Sequence, residues 1–73
     1  MNEIKMKFYI VRDQSGDLIM FNCLPIRNDS GAWIPNLPEI EWSGSWIVLD
    51  PNLFPEIQWY SNPTEFKFCR SDF

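Results

Sequence analysis

Seventy-three residues are enough for one small domain and too few for two, so the chain reads as a single domain spanning 1–73. Apolar residues make up 45% of it and aromatic residues 16%, more than a disordered chain carries, so a packed core is expected despite six prolines. Six basic against ten acidic residues, a net charge of −4 and the absence of histidine argue against direct binding to nucleic-acid phosphates or anionic membranes.

Lys5 to Arg12 alternates, with Met6, Phe8 and Ile10 on one side and Lys5, Lys7, Tyr9 and Val11 on the other, which predicts a first strand. Asp13-Gln14-Ser15-Gly16 follows, with a glycine placed to close a type I turn with a bulge. Asp17 to Cys23 is then the return strand of a hairpin over 5–23, with Leu18 and Met20 opposing the apolar side of the first strand. Pro25 ends that pairing because it lacks a ladder N–H, and Asn28-Asp29-Ser30-Gly31 signals a second turn. Pro35 and Pro38 favour an extended segment over a central strand.

Glu39 to Trp42 and Ser45 to Leu49 are apolar-alternating runs separated by Ser43-Gly44, the pattern of a tight hairpin that sets Trp42 near Trp46. Asp50-Pro51 opens a helical start that Pro55 cuts short, leaving one helical turn near 51–54. Ile57 to Tyr60 is a short strand candidate. Thr64 to Arg70 alternates with Phe66 and Phe68 on one face and is expected to pair with the first strand. The three Ser-Gly turns do not form an equal-period repeat. The fold class that follows is a small all-β domain of about five antiparallel strands, as a meander or a partly open barrel. The expected core is Met6, Phe8, Ile10, Leu18, Met20, Trp46, Val48, Phe54, Phe66 and Phe68.

Charge is distributed unevenly. Residues 1–27 sum to +1 and 67–73 to +1, whereas 28–66 holds no basic residue and carries Asp29, Glu39, Glu41, Asp50, Glu56 and Glu65, a charge of −6. The same stretch contains all four tryptophans. No apolar run approaches the roughly 20 residues of a membrane span and no signal peptide is visible, so a cytoplasmic, non-secreted protein without membrane contact is expected.

Catalytic chemistry finds little to work with. Two cysteines, Cys23 and Cys69, and no histidine fall short of a zinc set, and no other metal or cofactor is implied. Two free thiols are expected, a disulfide requiring the second and last strands to lie side by side. Glu39 and Glu41 share i, i+2 spacing but have no nucleophile, base or oxyanion element beside them, and Asp13 to Asp17 lacks the ligand run of a calcium loop. The expectation is a protein that is not an enzyme. Trp33, Glu39, Glu41, Trp42, Glu56 and Trp59 are the candidate interaction surface, since an exposed tryptophan beside acids makes a recognition feature, although large aromatics in so small a domain are also its readiest core material.

The opening Lys7-Phe8-Tyr9-Ile10, Arg12-Asp13 and Gly16-Asp17-Leu18, with the closing Leu53-Phe54-Pro55-Glu56-Ile57 and Asn62-Pro63-Thr64-Glu65-Phe66, resemble small uncharacterised β-rich proteins of gut bacteria and their bacteriophages. The likeness covers the two ends and leaves 28–50 unmatched. It implies a β-rich fold and a phage or mobile-element setting inside a bacterial host cell, and it carries no activity or functional residue. Together these readings lead to an acidic binding protein that works by protein–protein contact, such as a phage-encoded modulator or inhibitor of a host protein. The alternatives are a phage structural or assembly protein or homo-oligomerising module, a nucleic-acid mimic and a carbohydrate-binding module.

Overall fold

Alternating β-branched and aromatic residues at both ends of the chain build one antiparallel sheet. The computed structural model describes residues 3–71, with side chains described for 6–67. Six strands occur among the described residues: β1 (Glu3–Arg12), β2 (Leu18–Phe21), β3 (Pro25–Arg27), β4 (Trp33–Pro35), β5 (Trp46–Leu49) and β6 (Thr64–Ser71), with one 3₁₀ turn at Glu39–Glu41. The protein is all-β. Four strands form an open sheet in the order β5-β2-β1-β6, and β3 and β4 form a separate two-stranded ribbon.

The register puts the expected side chains together. Phe8 opposes Phe66, Ile10 opposes Met20, Arg12 opposes Leu18, and across the next pair Met20 opposes Ile47 and Leu18 opposes Leu49. Because side chains alternate, these residues share one face of the sheet, and Tyr9, Val11, Ile19, Phe21, Trp46 and Val48 share the other. β1 lies between β2 and β6, so the side-by-side arrangement that a Cys23–Cys69 bridge would require is not present, and Cys23 is a free thiol.

On the first face Ile10, Leu18 and Ile57 form the buried centre, ringed by Met20, Leu49, Phe54 and Phe66. On the second, Val11 and Phe21 are just as deeply buried. Both faces therefore hold core, and the expected core omitted Val11, Phe21 and Ile57. The molecule is flat, 45 × 31 × 18 Å with a radius of gyration of 13.5 Å, against about 11 Å for a spherical domain of this length. Much of the sheet is consequently left uncovered. Three expected core residues lie in that exposed part: Met6, Trp46 and Val48 are 47%, 39% and 64% exposed. Phe68, expected in the core, has a side chain outside the described residues.

Two turns are built alike. In the first, the Asp13 N–H donates to Asp17 C=O at 2.8 Å, the Gly16 N–H to Asp13 C=O at 2.9 Å, and Arg12 Nη1 to Gly16 C=O at 2.8 Å. In the second, the Asn28 N–H donates to Ala32 C=O at 2.9 Å, the Gly31 N–H to Asn28 C=O at 3.0 Å, and Arg27 Nη1 to Gly31 C=O at 3.0 Å. Gly16 and Gly31 both take the left-handed backbone, with φ of 96° and 84°. Each turn is thus an Arg-[Asp/Asn]-x-Ser-Gly unit whose arginine folds back over its own turn.

Those arginines also hold the segment 50–62, a string of turns closed by Leu53 N–H to Asp50 C=O, Ile57 N–H to Phe54 C=O and Ser61 N–H to Gln58 C=O. Arg12 donates from Nε to Ile57 C=O at 2.6 Å, from Nη1 to Pro51 C=O at 3.1 Å, and from Nη2 to Leu53 and Phe54 C=O at 3.1 and 3.2 Å. With Gly16 that satisfies all five guanidinium N–H groups on main-chain oxygens. Arg27 donates to Trp59 C=O and lies 4.2 Å over the Trp33 ring. Phe54 accepts a φ of +49° in this segment and lays its ring 5.2 Å from Phe66.

Two expected strands are corrected. Glu39 to Trp42 is not a strand, because Pro38 starts a 3₁₀ turn closed by Glu41 N–H to Pro38 C=O and Trp42 N–H to Glu39 C=O. Ile57 to Tyr60 is not a strand either, because the turns ending at Ile57 and Ser61 direct Ile57 inward at 3% exposure. The β3–β4 ribbon was not expected at all.

Candidate functional site

Ser45 sets the geometry of β5. It is 2% exposed, its hydroxyl and N–H both donate to Trp42 C=O at 2.6 and 3.0 Å, and its own C=O accepts from the Asn22 N–H at 3.0 Å. Inter-strand hydrogen bonds in an antiparallel pair involve alternate residues. With Ser45 opposite Asn22, the groups of Ile47 and Leu49 turn toward Met20 and Leu18 of β2. The N–H and C=O of Trp46 and Val48 turn the other way. β5 is one of the two end strands of the sheet, so among the described residues these groups have no strand beside them.

This edge is apolar. Trp46, Ile47 and Val48 are 39%, 53% and 64% exposed, and β5 carries no charged side chain and no proline. Exposed sheet edges are ordinarily protected by charge, proline or a bulge, since their free main-chain groups template further pairing. Here the charges stand at the ends instead. Asp50 follows β5 directly. Before it, Glu39 and Glu41 flank Ile40, which is 91% exposed. Trp42 fastens that acidic turn to the strand: its indole N–H donates to Leu37 C=O at 2.8 Å and its ring meets Trp46 edge-on at 6.1 Å. Trp46 in turn lies 6.0 Å from its cross-strand partner Phe21.

On the first face, Met6, Phe8, Met20 and Ile47 line a shallow depression of about 230 Å³, with Asn22, Gly44, Ser45 and Trp46 completing its wall. It occupies the part of the sheet beyond the cover of the 50–62 segment. Its volume is below the roughly 300 Å³ at which small-molecule pockets begin, and its lining is mostly hydrocarbon. The arrangement offers hydrogen bonding along an edge, apolar contact on both faces and acids at either end.

The six residues singled out from sequence divide between two places. Glu39, Glu41 and Trp42 belong to the β5 site. Trp33 and Trp59 belong to the second arginine clamp: Trp33 is partly buried, donates its indole N–H to Arg12 C=O at 3.2 Å and is covered by Arg27, while Trp59 is 45% exposed and meets Tyr60 edge-on at 5.8 Å. Glu56 is exposed on the 50–62 segment. Trp46, Ile47 and Val48 were overlooked as surface because an apolar strand at an edge has the same residue pattern as one in a core. Ile40 was overlooked because its turn was read as a strand.

No helix among the described residues is long and apolar enough to cross a membrane. No family model matches this chain, and neither a curated protein nor a solved structure shows significant similarity to it.

Proposed function

We propose that this chain is a non-enzymatic binding protein that acts by protein–protein contact, through the β5 edge and the acidic turn fastened to it. The observation that carries the reading is the exposure of Trp46, Ile47 and Val48 on an end strand without charge or proline. Retaining such an edge is a hazard for a small protein unless something covers it. The resemblance of the chain ends to phage and gut-bacterial proteins makes a bacterial host protein the natural target.

A homo-oligomerising module is the second reading, favoured by the same free edge. It is weaker because pairing β5 with its own copy brings Asp50 of each chain toward the Glu39–Glu41 end of the other, and like charges there oppose association. A nucleic-acid mimic would need its acids spread over one surface, whereas Glu39, Glu41 and Asp50 bracket an apolar strand. A sugar platform would use Trp46 or Trp59, the exposed tryptophans, since Trp33 is covered by Arg27.

The test is affinity capture from bacterial lysate with the wild-type chain and with Val48→Lys. A specific protein retained by the former and lost by the latter is the expected result. Equal capture by both, or none above background, would sink the reading.

A further inference from the structure

Building on the contact function just argued, we infer that the partner supplies an extended segment which adds antiparallel to β5 as a fifth strand of the main sheet, with apolar residues at alternate positions and Lys or Arg at both ends. The main chain dictates the mode. Trp46 and Val48 present two N–H and two C=O groups outward, the set that one short antiparallel strand satisfies. A helix laid on this edge would leave all four without partners.

Side-chain chemistry narrows the segment. Partner residues opposite Trp46 and Val48 fall on the Phe21 face, where an aromatic or β-branched side chain gains most from a cross-strand pair. Residues opposite Ser45 and Ile47 fall on the other face. There Gly44 and Ser45 are the low rim of the depression, and a long apolar side chain passes over them toward Met20, Phe8 and Met6. At about 230 Å³ the depression suits one such side chain.

Charge selects the ends. Glu39 and Glu41 stand before β5 and Asp50 after it, all exposed, and the chain has no basic residue between 28 and 66 to neutralise them. A cation at either end of the added strand meets a carboxylate. A second copy of this chain does not: a two-fold pairing that sets Trp46 opposite Val48 places Asp50 opposite Gly44, and acids gather at both ends.

The probe is a displayed library of random dodecapeptides selected on the wild-type chain, followed by synthesis of the enriched peptide. The expected consensus alternates apolar residues between basic ends. Val48→Pro removes an outward N–H and leaves the β2–β5 ladder intact, so it should bind that peptide roughly tenfold or more weakly, as the loss of about 1.4 kcal/mol would give. Amide spectra check that its fold is retained. A Glu39→Lys, Glu41→Lys, Asp50→Lys variant, changed only at exposed sites, should reverse the preference toward acid-flanked peptides. Enriched peptides without basic ends, undiminished binding by Val48→Pro, or a concentration-dependent dimer that shields the Trp46 and Val48 amides would each overturn the addition of a basic-ended partner strand. If a lysate protein is still captured by Val48→Pro but lost by Val48→Lys, the contact function survives without strand addition. If no protein is captured at all, both fall.

Discussion

Replacing Arg12 by alanine removes five hydrogen bonds at once, and their settings determine what the change costs. The bonds to Gly16, Phe54 and Ile57 are partly buried, whereas those to Pro51 and Leu53 are exposed. A hydrogen bond from a charged donor contributes about 1.5–3 kcal/mol when enclosed. Partial exposure brings the three to about 1 kcal/mol each and leaves the outer two near zero, so Arg12→Ala should destabilise by about 3 kcal/mol. A domain of this size has roughly 4–11 kcal/mol in all. Urea unfolding followed by tryptophan fluorescence, at a slope of about 1 kcal/mol per molar, should show the midpoint falling by about 3 M. Arg12→Lys keeps the charge but not the planar fork and should fall between the two. Arg27→Ala loses one partly buried bond to Gly31, an exposed one to Trp59 and the stacking on Trp33, about 1–2 kcal/mol. A loss below about 1 kcal/mol for Arg12→Ala, or equal losses at the two arginines, would refute the reasoning that Arg12 is the main tie between the sheet and the 50–62 segment.

At Phe54, where φ is +49°, glycine should be less damaging than alanine by about 1 kcal/mol: both lose the ring against Phe66, but only glycine relieves the left-handed backbone. Urea midpoints of the two variants check this, and alanine at or above glycine would contradict it. Gly16→Ala and Gly31→Ala meet no atom within 4 Å of the added Cβ, so each should cost only the conformational penalty of about 1–2 kcal/mol, and thermal melts of the two should agree closely. A large difference between them would deny the equivalence of the two turns. Lys7→Ala breaks the 3.5 Å ion pair with Glu65, whose side chains are 60% and 40% exposed, and should shift stability by no more than about 0.5 kcal/mol in a melt at low salt.

Local pattern sufficed where pairing is local or where a strand shows its alternation over many residues. The 5–23 hairpin follows from period two and a glycine at the bulge, and β1 with β6 from matching runs that place Phe8 against Phe66. The β3–β4 ribbon was hidden by its own prolines. Pro25 and Pro35 oppose each other, and since Asn28 bonds Ala32, the alternation puts both prolines at a pair that exchanges no hydrogen bonds, where a missing N–H does no harm.

The 50–62 segment was legible only in part: the helical turn expected near 51–54 is a single turn closed by Leu53 N–H to Asp50 C=O and not a helix, and the rest was hidden for another reason. Its conformation depends on Arg12, between 39 and 45 positions away from most of the carbonyls it binds, and no window of local sequence contains both. Ile57 accordingly looked like a strand residue and is a core plug. At the candidate β5 site, Glu39, Glu41 and Trp42 were singled out by charge and aromatic content, which are visible in composition. Trp46 and Val48 were assigned to the core because hydrophobicity reports a wish for cover and does not say whether the cover is this chain or another.

In the isolated protein the outer side of β5 is free and available for pairing. Amide hydrogen exchange read residue by residue in dilute solution tests it directly. Alternation is expected along one strand: Ile47, facing Met20 of β2, exchanges slowly, and Trp46 and Val48, facing outward, exchange near the rate of an open chain. Slow exchange at Trp46 and Val48 in the dilute monomer, or fast exchange at Ile47, would contradict it.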